Sequence, residues 1–185
     1  MGGPDAGRSY EAVVYDLDGT LVHLDVDWDR VRQEVGETLA EHGVDSEGMD
    51  LWEMLKRSRD DCVLAEDVET TIAKHEREGA RRCDREDCAS QLLAHPDDLP
   101  VGVCSLNCEA AARLALECHG LDECVTEVVG RDTLATEKPD PEPLLQTLDG
   151  LGVSADEAVF VGDSGRDAMT AERAGVPFRY VEEWV

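Results

Sequence analysis

The chain has no apolar run of membrane-spanning length, which argues against a helix through a bilayer. Residues 1–9 carry Gly, Pro, Asp and Arg and no apolar signal region, so the sequence reads as a soluble cytoplasmic protein. Lysine is scarce: Lys56, Lys74 and Lys138 stand alone, and every other basic residue is an arginine. Against 17 basic residues there are 43 acidic ones, and the net charge of −26 argues against DNA, RNA or an anionic membrane as partner. None of the seven cysteines forms Cys-x-x-Cys, and their spacing matches no zinc pattern. An odd count without a signal region also points away from a disulfide framework. There is no internal repeat and no low-complexity linker.

What is present suits one good core with a small insert: 185 residues, 42% of them hydrophobic. The acidic excess repels itself at low ionic strength. Near 1 M salt the Debye length falls to about 3 Å, and most of that repulsion is screened. The composition therefore predicts a protein adapted to a salt-rich cytoplasm, the alternative being an ordinary acidic protein.

Residues 13–15 (Val-Val-Tyr) form a short β-branched run, read as a buried strand. Asp16 and Asp18 follow at its end, then Gly19, which lets the backbone turn away. Beyond Leu21 helical periodicity takes over. Asp27 is a candidate N-cap for a helix with Val31, Val35 and Leu39 on one face, ending near His42-Gly43. Two further stripes run through Leu51, Trp52 and Leu55, and through Leu64, Val68 and Ile72. This span reads as a helical insert over 24–82.

The α/β pattern then resumes: a helix over 84–95, a strand over 101–104, a helix from Asn107 as its cap to His119-Gly120, and a strand over 125–129. Asp140-Pro141 opens a helix in cap-then-proline order. A strand over 158–161, a helix from Arg166 to Gly175 and an edge strand over 178–181 complete the chain. Strands alternating with helices predict a parallel sheet with right-handed crossovers. Cys104 and Cys108 read as small buried hydrophobes, with a metal or redox role as the alternative. His42, His75, His95 and His119 read as helix-end or surface residues.

In such a sheet ligands bind beyond the carboxyl ends of the strands. Asp16 and Asp18, Ser105, Lys138 and the segment from Gly162 to Asp167 all fall at or just after predicted strand ends. Each alone has a plain reading: an acidic turn, a turn hydroxyl, a surface lysine. Together and in this order they resemble the four motifs of the haloacid dehalogenase superfamily, in its phosphoglycolate-phosphatase-like branch. The likeness covers the chain outside roughly residues 24–82 and the first few residues. It implies a Rossmann-like three-layer α/β core over 1–23 and 83–185, with a short helical C1 cap over 24–82.

The resemblance implies Asp16 as nucleophile and Asp18 as general acid and base, through an aspartyl-phosphate. Ser105 would bond a phosphoryl oxygen, although Leu106 separates it from Asn107, where the family more often has Asn directly after. Asn107 and Lys138 would touch the substrate, Lys138 neutralising both nucleophile and phosphate. Asp16, Asp18, Asp163 and Asp167 against Lys138 leave a charge of −3, so a phosphate dianion needs a cation beside them. An all-oxygen ligand set suits Mg²⁺, held by Asp16, the Asp18 carbonyl and Asp163 with Asp167 in support. His23, at the junction of core and cap, is either a substrate contact or a solvated linker residue. The expected activity is Mg²⁺-dependent hydrolysis of a small phosphorylated metabolite, with a phosphomutase or a non-catalytic binding protein on the same scaffold as alternatives.

Overall fold

The computed structural model describes residues 10–184; the segment read above as lacking a signal region lies outside them. A five-stranded parallel sheet has the order β5-β4-β1-β6-β7. Its strands are β1 (Ala12–Tyr15), β4 (Val101–Cys104), β5 (Glu127–Val129), β6 (Ala158–Gly162) and β7 (Phe178–Tyr180). The central strand β1 is buried throughout, flanked by β4 (Val13 beside Val101) and β6 (Val14 beside Phe160).

Alternation along a strand divides these apolar runs between two faces. Val13, Tyr15, Val101, Val103, Val159 and Val161 pack with Ala111, Ala115 and Leu116 of α5 (Glu109–Cys118). Ala12, Val14, Cys104, Ala158 and Phe160 pack on the other face with Leu144 and Leu148 of α6 (Glu142–Leu151) and Ala171 of α7 (Gly165–Ala174). Two helical layers thus sandwich the sheet. Cys104 and Cys108 are both wholly buried in these layers, and all seven cysteines are free.

Three helices occupy residues 28–80: α1 (Trp28–Glu41), α2 (Leu51–Ser58) and α3 (Cys62–Ala80). Asp27 caps α1, its carboxylate accepting the Arg30 N–H, and Asp50 with Glu53 forms a capping box on α2. Val31, Val35, Leu39, Leu55, Leu64, Val68 and Ile72 close a separate apolar core among the three helices. The last turns of α3 leave that core: Ala73 and Ala80 bury into the cluster beneath the sheet.

Several local readings need correction. After Leu21 the chain makes one more short strand, β2 (Val22–His23), antiparallel to β3 (Asp84–Arg85). Two residues are too few for any period to show. The helix expected over 84–95 shrinks to α4 (Ala89–Leu93), because β3 takes Asp84 and Arg85, and the Glu86 N–H goes to the Leu21 carbonyl. Residues 122–124 form a short 3-10 turn, so β5 begins at Glu127. Helix α5 is capped at Cys108 with no side-chain bond, because the Asn107 amide is engaged elsewhere. His75 is neither surface nor helix end: it sits inside α3, buried, 2.7 Å from the Glu34 carboxylate of α1. A final turn, α8 (Val181–Trp184), brings the Trp184 Nε1–H to Tyr15.

Candidate active site

Asp16 stands at the C-terminal end of β1, and β6 beside it delivers Asp163. Helix α7 starts at once, with Ser164 as N-cap and Asp167 at its third position in a reciprocal capping box. That cap holds one Asp167 oxygen, leaving the other for Lys138. The Lys138 Nζ lies 2.8 Å from Asp16 Oδ1 and 2.5 Å from Asp167 Oδ1, with its side chain only 1% exposed. Lys138 lies in a turn closed by the Asp140 N–H on the Glu137 carbonyl, and its peptide to Pro139 is cis.

Carboxylate oxygens of Asp16, Asp163 and Asp167 lie within 4.8 Å of one another. Glycine permits this approach. Gly19 has φ of 84°, and a Cβ there would strike the Asp163 carboxylate; at Gly162 a Cβ would come 2.7 Å from the Asp167 Cβ. Burial pushes the Asp16 carboxyl up to about 7, while Lys138 pulls it down and Asp167 pushes it up. Burial works against the Lys138 charge, yet Asp16 and Asp167 outweigh it and hold the ammonium above its usual range. Burial also raises the Asp163 carboxyl, with Asp167 adding to it.

Asp18 lies just before the turn at residues 19–21, and burial raises its carboxyl although the Leu24 N–H works against this. That N–H bonds Asp18 Oδ1 at 2.8 Å, which leaves Oδ2 as the oxygen able to carry a proton. Thr20 is wholly buried, and its hydroxyl has no partner among the described residues.

Ser105 follows β4. Its hydroxyl donates to Asn107 Oδ1 at 3.0 Å and accepts from the Asn107 N–H at 3.1 Å. Asn107 Nδ2 then faces Glu76 Oε1 of α3 at 3.2 Å, as an amide nitrogen opposite a carboxylate must. Asp16, Asp18, Asp163, Leu106 and Asn107 meet at the floor of a cavity of about 590 Å³, with Trp28, Arg32 and Trp52 from the inserted helices opposite. Arg166 joins the two sides, its guanidinium 5.2 Å from the Trp52 ring centre. His23 is exposed on β2 and is not among the residues lining the cavity.

Sequence reading missed Glu76 and Arg131, both buried, and the cavity residues Arg32, Trp52 and Arg166. Arg131 carried a usable signal: it lies two residues past the end of β5, at the same sheet edge as Asp16 and Ser105. Glu76 carried none, being one acid among many on a helix. The acidic trio is all oxygen, bunched around one buried ammonium, and so fits a small hard divalent cation.

The model of the haloacid dehalogenase-like hydrolase family matches residues 13–181. A phosphoglycolate phosphatase of Rhodospirillum rubrum is 37% identical over 196 aligned positions, covering 90% of this chain and 77% of that protein. Among solved structures, a hydrolase from Pseudomonas syringae superposes with a TM-score of 0.67 at 23% identity, over 90% of this chain and 82% of the other. CbbY from Rhodobacter sphaeroides, in complex with phosphate, superposes with a TM-score of 0.68 at 18% identity, over 92% and 85%. The chain belongs to the haloacid dehalogenase-like hydrolase family, in its phosphoglycolate-phosphatase-like branch, and is a phosphoric monoester hydrolase.

Proposed function

We propose that this protein is a cytoplasmic, Mg²⁺-dependent phosphatase that hydrolyses a small phosphomonoester through an aspartyl-phosphate. In this reading residues 1–23 and 83–185 form the catalytic core and 24–82 its cap. Asp16 attacks phosphorus and the bond to the ester oxygen breaks, the departing oxygen taking the proton from Asp18 Oδ2. Water then attacks the phosphoryl group as Asp18 takes its proton back, releasing inorganic phosphate and free Asp16. Burial supports this double role, because it raises the Asp18 carboxyl above its usual range and so favours the protonated form. Lys138 offsets charge on Asp16 and the incoming phosphoryl oxygens, and Ser105 with Asn107 contacts the phosphate. Asp16, the Asp18 carbonyl, Asp163 and Asp167 would hold Mg²⁺, which supplies charge neutralisation and polarises a phosphoryl oxygen.

The observation that carries the reading is one buried lysine bonded to two carboxylates, with a third beside them, at the floor of a cavity of small-molecule size. The Rhodospirillum rubrum relative makes phosphoglycolate the first substrate to try. The test is p-nitrophenyl phosphate hydrolysis in high salt with Mg²⁺. Asp16→Asn should lower turnover on the order of a thousandfold or more while the protein stays folded. EDTA should abolish turnover reversibly. Undiminished hydrolysis in either arm ends the proposal.

A further inference from the structure

The segment from Ser105 to Cys108 is held from both sides. The Ser105 N–H goes to the Val129 carbonyl, the Asn107 N–H to the Ser105 hydroxyl, and the Cys108 N–H to Glu76 Oε2 at 3.0 Å. The Asn107 carbonyl accepts the Arg131 N–H at 2.9 Å, and the Leu106 carbonyl accepts Arg131 Nη1 at 2.6 Å. One amide is left over. Among the described residues the Leu106 N–H has no acceptor, and Leu106 lines the cavity beside Asp16.

The clamp itself is a closed charge cluster. Arg131 Nη1 and Nη2 reach Glu76 Oε1 and Oε2 at 2.6 and 3.0 Å, and Nη2 and Nε reach Glu69 at 2.5 and 3.1 Å. The Arg131 and Glu76 side chains are both 0% exposed. Gly130 lets the two loops approach, since a Cβ there would strike the Glu109 backbone. A buried, shape-specific pair of this kind contributes little net stability compared with apolar replacements, although breaking it is costly. Its fixed geometry acts on the loop. A carboxylate from α3 orients the Asn107 amide, which orients the Ser105 hydroxyl, while the guanidinium fork fixes the peptide preceding Asn107.

We propose that Glu76 and Arg131 are positioning residues for phosphate binding: acting across the junction between α3 and the core, they set the Leu106 N–H toward the phosphoryl oxygens, while the Ser105 hydroxyl, donating to Asn107 Oδ1, braces the loop from the core side. The assignment rests on the phosphatase reading above. It makes α3 part of the phosphate site although neither Glu69 nor Glu76 lines the cavity.

The test measures kcat and KM for p-nitrophenyl phosphate, and the competitive Ki of inorganic phosphate, all with Mg²⁺. Three variants are compared with wild type: Glu76→Gln, Arg131→Lys, and the joint replacement of Glu76 and Arg131 by Met. Each should raise the phosphate Ki about tenfold or more and lower kcat/KM further, as misplaced groups do. The joint variant should do so even where its melting temperature matches wild type, since it removes both wholly buried charges and leaves only the 30% exposed Glu69 without its partner. Leu39→Ala, which opens a cavity in the separate core of α1–α3, should lower the melting temperature while moving the Ki less than about twofold. In the wild-type protein, titration with inorganic phosphate should shift the Leu106 amide resonance; this arm needs no variant to fold. A Ki within about twofold of wild type in a folded Arg131→Lys or Glu76→Gln protein, or a Leu106 resonance unmoved by saturating phosphate, overturns the assignment. An active wild type with unaffected variants overturns only this assignment, whereas a wild type without phosphatase turnover overturns the reading beneath it as well.

Discussion

Among the described residues two cations lie buried, Lys138 and Arg131, and each faces two carboxylates. Lys138 is bonded to Asp16 and Asp167, and Arg131 to Glu69 and Glu76. The charge count is the same; the geometry is not. Arg131 has all its nitrogens engaged, and its carboxylates are engaged in turn by the guanidinium and by loop donors. Lys138 is surrounded by oxygens that keep free lone pairs, with Asp16 and Asp163 lining the cavity. A closed cluster can only hold things in place. An open one can bind, and burial, with Asp167 beside it, is what raises the Asp16 carboxyl so far above its ordinary range.

The sharpest way to break this contrast is to remove each cation. Lys138→Met and Arg131→Met each strand buried carboxylates, and each should cost about 3–5 kcal/mol in denaturant unfolding. Adding Mg²⁺ should then recover much of the loss in Lys138→Met, because another cation can take its place, and none in Arg131→Met. Equal recovery in both would erase the distinction between open and closed.

Salt separates these buried clusters from the surface. With a net charge of −26, the melting temperature should rise steeply between dilute buffer and multimolar KCl, followed by circular dichroism. The increment added by Mg²⁺ should persist at the highest salt, since a partly buried site is screened far less. Full stability in dilute buffer would remove the halophilic reading.

The smallest expected effect lies just behind Asp16. The Trp184 Nε1–H can only donate, so the Tyr15 hydroxyl accepts it at 3.0 Å, and that hydroxyl also lies 2.7 Å from His95 Nε2. Burial lowers the His95 pKa below the ordinary imidazole value. The folded state then binds fewer protons than the unfolded one below about pH 6.5, so the stability His95 contributes is present above that pH and lost as pH falls through its lowered value. The melting-temperature gap between wild type and His95→Gln should shrink on acidification. A constant gap would mean that His95 does not titrate on folding.

How much was legible follows from where each signal lived. Asp16, Asp18, Ser105, Lys138, Asp163 and Asp167 could be singled out because they fall at or after predicted strand ends and together, in order, resemble a known family's motifs; each alone had a plain reading. The long elements were equally plain: α1 with its Asp27 cap, α6 behind Pro141, α7 stopped at Gly175. The two-residue β2–β3 ribbon was not, nor the collapse of the 84–95 helix into α4, because backbone pairing across the insertion point overrode local propensity there. Asn107 looked like a cap, and in isolation it would be one. Its Oδ1, the atom a cap would use, accepts the Ser105 hydroxyl instead, and its Nδ2 turns to Glu76.

The sequence by itself determined the layered α/β order, the acidic surface and the identity of the residues at the sheet's carboxyl edge, since each depends on spacing and composition within short windows. Only the tertiary structure decided that Asp16 and Asp163 share one small volume, that α3 reaches the Ser105 loop, and that one buried cation is left open while the other is closed. Those depend on contacts between residues 29 to 147 positions apart in the chain, and no local pattern encodes which of 43 acids will meet which of 17 bases.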